Sequence, residues 1–371
     1  MNLKKKRTVK TAIGLDFGAH SLKYAVGQWA NDKLKISAYG TIEYGQELFK
    51  NGYILDENMM RDKLTSVLKA NKIKIKDAFI SVESTEIIKR EIIIPKVDEA
   101  DLKDLIGYEI GQYLPIDLNQ YVLQYRITKE IEDDRGKQFM VTVGAMPKSM
   151  AEQYHQFVLS CGLSPRKLDI HSHSLSRFIK WNYAKSAELE GKTIALVDFG
   201  HHMINVNLYS DDDVVFGRII NLGSSGFDEI IHKYSDAAES DVNKIKQNMK
   251  IITEEFNDRY QALDYNRFSD EESDLPPHDI MIMEMRSYIE ECLSELNKVL
   301  KYYTSRSSEN IINAIYLYGG SSQIIGLEKY VGEKLDLPAR VLKIENKIEM
   351  QSKASGVMSN GYVHVLGLLM N

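Results

Sequence analysis

Two stretches of this chain repeat one another. Ile13-Gly14-Leu15-Asp16-Phe17-Gly18-Ala19-His20-Ser21-Leu22-Lys23-Tyr24 is an apolar run, an Asp-Phe-Gly turn and a returning run. Ala195-Leu196-Val197-Asp198-Phe199-Gly200-His201-His202-Met203-Ile204-Asn205-Val206 has the same plan. A single turn of this kind says little, because Asp and Gly are ordinary turn residues. A carboxylate at the same place in two halves of a chain points to a duplicated unit with a site shared by the copies. Gly lets the backbone approach a ligand. The N–H groups of a tight turn form a concave nest suited to phosphate oxygens. An adjacent Asp can hold hydrated Mg2+, which binds one or two carboxylates together with phosphate. Lys23, on the first returning run, can neutralise phosphate charge. Two such turns facing a cleft would grip a nucleotide phosphate tail from both sides.

At 371 residues the chain exceeds the size at which a single core stops growing, so two lobes are expected. The net charge of -6 argues against nucleic acid as the main partner. Two cysteines, Cys161 and Cys292, give no disulfide framework and imply a reducing compartment. No apolar run approaches the length of a membrane span. Lys4-Lys5-Lys6-Arg7 has no apolar core behind it, and reads as a solvated lead-in to the first strand or, as the alternative, a contact for an anionic membrane surface.

Along the chain, strands are expected at about 11–16, 22–29 and 35–44, then a helix over 56–70 with Met60, Leu64, Val67 and Leu68 on one face. Residues 79–145 read as an inserted α+β segment. Its strands are 79–82, 87–94, 121–128 and 139–145, and its helix begins at Asp98 and stops at Pro115. Met150, Tyr154, Phe157 and Val158 make the next helix face. His171 and His173 lack a completing ligand at useful spacing and read as structural. A helix over 174–187 is expected to cross to the second lobe, where strands at 193–198, 204–210 and 214–221 repeat the opening pattern. Gly223-Ser224-Ser225-Gly226 precedes a helix from Phe227. Residues 236–255 read as helix, 264–279 as a polar loop and 283–303 as a long amphipathic helix. The strand Ala314–Tyr318 runs into Gly319-Gly320-Ser321-Ser322 and a helix from Gly326, a ready nucleotide contact.

The three turns, in this order, resemble the actin-like ATPase superfamily, which includes actin, heat-shock chaperones, sugar kinases and the division protein FtsA. The resemblance implies a two-lobe α/β fold of duplicated, ribonuclease H-like units with an inserted α+β subdomain in the first lobe. It divides the chain into 1–78, completed by 146–190 and a C-terminal helix 355–371; the insert 79–145; 191–226 with 310–354; and a helical part, 227–309. It implies ATP or ADP as ligand. The nucleotide contacts fall on Asp16, Gly18, Ser21, Lys23, Asp198, Gly200, His201, Gly319, Gly320 and Ser321, with Mg2+ at Asp16 and Asp198.

A nearer resemblance is to the PilM family of type IV pilus assembly proteins. It rests on Ile13–Lys23, on Ile92-Ile93-Ile94-Pro95 followed by Tyr108-Glu109-Ile110-Gly111-Gln112-Tyr113-Leu114-Pro115-Ile116-Asp117, and on Gly319–Leu327. That resemblance implies a cytoplasmic scaffold at the inner face of the membrane. It would bind the short N-terminal tail of the bitopic protein PilN, and so link the PilN/PilO complex to the assembly motor; self-association is left open. Tyr113, Leu114, Pro115 and Ile116 are the expected wall of the peptide groove. The phosphate turns depart from the superfamily's usual residues. Ala19 and His20 precede Ser21, and Gly200 is followed by His201, His202, Met203 and Ile204, where hydroxyl donors are usual. At most a weak ATPase is therefore expected. The alternatives are an actin-like kinase or hydrolase, for which no base is visible, and an FtsA-like filament-forming anchor. The ending Val365-Leu366-Gly367-Leu368-Leu369-Met370-Asn371 lacks the basic amphipathic helix expected of the latter.

Overall fold

The computed structural model describes residues 11–45, 47–113, 117–134, 136–184, 188–248, 276–344, 348–351 and 358–370. These form two compact units, and the chain passes from the first to the second between Ser174 and Leu175.

In the first unit, β1 (Thr11–Phe17), β2 (Ser21–Ala30) and β3 (Lys33–Glu43) are consecutive antiparallel strands. Short hairpins suffice to join them. A small hairpin, β4 (Phe49–Lys50) and β5 (Tyr53–Ile54), leads to α1 (Glu57–Ala70). Asp56 caps α1 by accepting the Met59 N–H, and Met60, Leu64 and Leu68 face inward, as the helical spacing predicts. Then β6 (Asp77–Val82) pairs in parallel with β1. The expected assignment of 79–82 to the inserted segment is therefore corrected. Ala78, Ile80 and Val82 are buried in the first unit's own core with Ile13, Leu15 and Phe17.

The inserted sheet runs β7-β9-β8, made of β7 (Ile88–Pro95), β8 (Tyr121–Asp133) and β9 (Gly136–Pro147). One of its faces is covered by α2 (Glu99–Tyr113). Leu102, Ile106 and Ile110 pack on Ile94, Phe139, Val141 and Val143 in a separate small core. After α3 (Lys148–Ser160), β10 (Ser164–Ile170) adds in parallel to β6. The sequence reading had no strand there. The segment Ser-Pro-Arg-Lys-Leu-Asp-Ile shows little alternation, and its pairing is fixed by β6 rather than by its own pattern. The helix α4 (His171–Asn182) starts at once after it, three residues earlier than expected.

In the second unit, β11 (Ile194–Phe199), β12 (Ile204–Ser210) and β13 (Asp213–Ile220) repeat the antiparallel triplet. Among the described residues, α5 (Ser225–Tyr234), α6 (Glu239–Asn248) and α7 (Pro277–Ser305) follow. The proline at the first turn lets α7 start before the expected residue 283. Residues 249–255 of the expected helix 236–255 and 264–275 of the expected loop 264–279 lie outside the described residues. Then β14 (Ala314–Tyr318) pairs in parallel with β11, and after α8 (Leu327–Leu335), β15 (Ala339–Val341) pairs in parallel with β14. Back in the first unit, β16 (Ile348–Met350) joins β3 in parallel, so this stretch departs from its expected place in the second lobe. The last helix is α9 (Val363–Leu369).

The two sheets share one plan. The first reads β10-β6-β1-β2-β3, with β16 beyond, and the second β15-β14-β11-β12-β13. Each has three antiparallel strands in chain order and two parallel strands added beside the first. This is the duplicated ribonuclease H-like arrangement expected from the repeated turns. In both units the first strand is buried on both faces, which is why each reads as a nearly continuous apolar run.

Candidate functional site

Each unit carries one phosphate-type turn at the same place on its first hairpin. In the first, the Gly18 N–H donates to Ser21 O at 3.0 Å. In the second, the Gly200 N–H donates to Met203 O at 3.1 Å. Asp16 stands opposite Lys23 in the first hairpin, and Asp198 opposite Asn205 in the second. Ser21 therefore corresponds to Met203, and Lys23 to Asn205. The turns are copies in backbone but not in charge.

The first turn is braced from behind. The Tyr44 hydroxyl donates to Gly18 O at 2.6 Å, and the Tyr44 N–H donates to His20 O at 3.1 Å. Asp16 is buried, and His171 Nε2 lies 2.8 Å from its Oδ1. The His171 ring stacks on His364 with centroids 4.1 Å apart. Ser174 ties the pair together: its Oγ lies 3.3 Å from His364 Nδ1 and donates to His171 O at 2.9 Å. Gly14 makes room for this arrangement, because a Cβ there would stand 2.8 Å from Val365 on α9. Burial alone would raise the pKa of Asp16. The positive charge and hydrogen bonding of His171, then His364 and Lys23, overcome it and hold the carboxyl at about 2.

Beside this cluster lies Glu83, just past the end of β6. It too is buried and paired, with Lys89 Nζ at 2.6 Å. Burial opposes its ionisation, but Lys89 and then His171 lower its pKa. His173 turns away and pairs with Asp169 at 3.1 Å. The histidine pair of the sequence thus divides between two carboxylates. Sequence reading missed His171, His364 and Tyr44 as companions of the first turn. Nothing in their spacing from Asp16 could have shown them; the pairing of β3 with β2 brings Tyr44, that of β10 with β6 brings His171, and the return of α9 brings His364.

In the second unit, Asp198 and Gly319 come together. Gly319 has φ 86° and ψ 179°, a region that only glycine enters readily. A Cβ there would lie 2.1 Å from Asp198 Oδ1. Gly320 and Ser321 follow in a short 3-10 turn, fastened behind by Ser322 and Asn360, whose amide donates to Ser322 Oγ at 3.0 Å. The carbonyls of Gly200 and His201 accept from the N–H groups of Ser224 and Ser225 at 2.9 and 2.8 Å, which seats the Gly223–Gly226 loop on the turn. His201 Nδ1 lies 3.6 Å from Asp228, which also pairs with buried Lys246 at 2.5 Å. These partners of His201 were not foreseen either. Asn205 Oδ1 is buried and finds no hydrogen-bond partner among the described residues. A carboxylate, an orphaned acceptor opposite it and a glycine cradle fit a hydrated magnesium and phosphate at Asp198. At the expected peptide groove, Tyr113 ends α2, but its side chain and all of Leu114, Pro115 and Ile116 lie outside the described residues.

Comparison with known proteins agrees with this geometry. The chain is similar over nearly its whole length to the structure described as "PilM-PilN type IV pilus biogenesis complex". That match has 18% identity, covers 96% of this chain and 97% of that one, and gives a TM-score of 0.77. The ethanolamine utilization protein EutJ from Carboxydothermus hydrogenoformans matches with 12% identity, 97% and 89% coverage and a TM-score of 0.52. The fold is thus that of the actin-like ATPases. The sequence model of the family described as type IV pilus assembly protein PilM matches residues 14–257 and 250–369. The chain belongs to that family.

Proposed function

We propose that this chain is a scaffold of the type IV pilus machinery that captures the N-terminal cytoplasmic tail of a PilN-type protein while holding an adenine nucleotide on its phosphate turns. The observation that carries this reading is the family match, which extends from residue 14 to residue 369. The inserted sheet supports it. Both β7 and β8 are edge strands, and Ile93, Val122, Ile127 and, on α2, Tyr108 are exposed. An extended apolar tail can add to such an edge, with side chains seated alternately in pockets. The corner Tyr113–Ile116 is the proposed groove wall. Among the described residues no helix is long and apolar enough to cross a membrane. Attachment at the inner face of the membrane would run through PilN, and through PilN to PilO and the assembly motor.

The nucleotide would lie against Gly18, Ser21 and Lys23 of the first turn, Asp198, Gly200 and His201 of the second, and Gly319 to Ser321. Met203 offers no donor where Ser21 stands in the first copy. Fixed donors commonly contribute several kcal/mol to such transition states. Hydrolysis should therefore fall far below the ~10 per second typical of enzymes. The test is capture of a photoreactive PilN-type N-terminal peptide by the full chain, followed by mapping of the cross-links. Cross-links within 79–145 are expected. Failure to capture the peptide would refute the reading, and cross-links confined beyond Lys192 would show the wrong surface.

A further inference from the structure

Asp16 is one of two carboxylates that the resemblance assigns to magnesium, and its surroundings are built differently from those of Asp198. Hydrated magnesium reaches a carboxylate directly or through its own water, and in either case it needs the space beside the oxygens. At Asp16 the space beside Oδ1 is taken. His171 Nε2 stands 2.8 Å from Oδ1, at the distance a metal-bound water would take. Behind His171 lies His364, its ring nearly parallel at 14°. Both rings are buried, at 6% and 4% exposure, and Asp16 itself is 2% exposed. Lys23 faces Asp16 across the hairpin, where the second copy has the neutral Asn205. Moving two stacked imidazoles would also disturb α4 and α9, because Ser174 joins the rings to the helix backbone.

We infer that Asp16 is not a metal ligand in this protein: its carboxylate is the fixed counter-ion of His171, and any magnesium is left to Asp198. The first turn then meets phosphate with charge supplied by the protein, from Lys23. This rests on the nucleotide reading for the phosphate, but not for the metal.

The experiment uses the full chain and two variants. ADP affinity is measured calorimetrically with magnesium and with EDTA. Asp198→Asn should bring the ratio of the two affinities to about one, whereas Asp16→Asn should keep it within about twofold of wild type. A ratio lost in Asp16→Asn would overturn the inference. A second measurement leaves Asp16 intact and needs no nucleotide. Mn2+ is titrated, in the absence of ADP, into Asp198→Asn with labelled histidines. The ring signals of His171 and His364 should keep their linewidths, and their broadening would overturn the inference. Absence of ADP binding in wild type would sink the nucleotide reading, while the Mn2+ titration still decides whether metal reaches Asp16.

Discussion

Replacing Asp16 by Asn probes the buried charge cluster most directly. The amide keeps the shape of the carboxylate but leaves His171, 2.8 Å away, without its anion. Two routes bound the cost. The Asp16 carboxyl is held at about 2 against an ordinary 3.8. At roughly 1.4 kcal/mol per pKa unit, that shift corresponds to about 2 kcal/mol of folding free energy near neutral pH. Removing one partner of a buried ion pair costs about 3–5 kcal/mol in general. We therefore expect Asp16→Asn to lower the unfolding free energy by about 2–4 kcal/mol at pH 7. Because the folded pKa lies below the unfolded one, this contribution is present above 3.8 and fades as pH falls through about 2. Urea midpoints of both proteins, with hydrogen exchange of the β1–β2 amides as a local reading, measure it. A loss below about 0.5 kcal/mol at pH 7, within the range of an ordinary surface change, would refute the ion-pair account. So would a loss that persists undiminished near pH 2.

Gly319→Ala should weaken ADP binding by tenfold or more (order of magnitude, from about 1–3 kcal/mol of strain), because its Cβ would meet Asp198 and its backbone lies outside the range of other residues. Circular dichroism would separate this from unfolding, and unchanged affinity would exclude Gly319 from the site. Lys246→Met leaves Asp228, partly buried beside His201, without its cation, and should cost about 1.5–3 kcal/mol in urea unfolding; Lys246→Met with Asp228→Leu should recover much of it. Burial pushes the Cys161 thiol up to about 11 and Cys292 up to about 12, so neither should react with a thiol reagent at pH 8 until urea unfolds the chain. Prompt labelling of the native protein would contradict this.

The frame of the fold could be read from the sequence because its strands are short, apolar and bounded by polar turns. The two Asp-Phe-Gly turns and the three-strand pattern after each are enough to set six of the paired strands, since consecutive antiparallel strands need no long-range information. The helix faces of α1, α3 and α7 follow from their spacing. Parallel partners were harder. The segment 79–82 pairs with β1 across the chain, and its sequence neighbours in the insert gave the wrong company. The strand β16 has three residues and pairs with β3, more than three hundred positions earlier, so no local signal marks it.

The candidate site divides along the same line. The turn residues were legible because each turn carries its own chemistry within a few positions. The difference between the turns was not, because it comes from elements far along the chain. Alignment of the two copies places Lys23 against Asn205 and Ser21 against Met203, and that much a sequence can show. What it cannot show is that β10, a strand without a strand pattern, runs beside β6 and delivers His171 to Asp16. Nor can it show that α9 returns to the same sheet, where Gly14 admits Val365 and leaves His364 stacked on His171. A histidine pair two residues apart suggests a metal or nothing. The structure sends His173, itself exposed, to the buried Asp169 and His171 to the buried carboxylate of the first turn, and two copies of one turn thereby acquire different electrostatic surroundings.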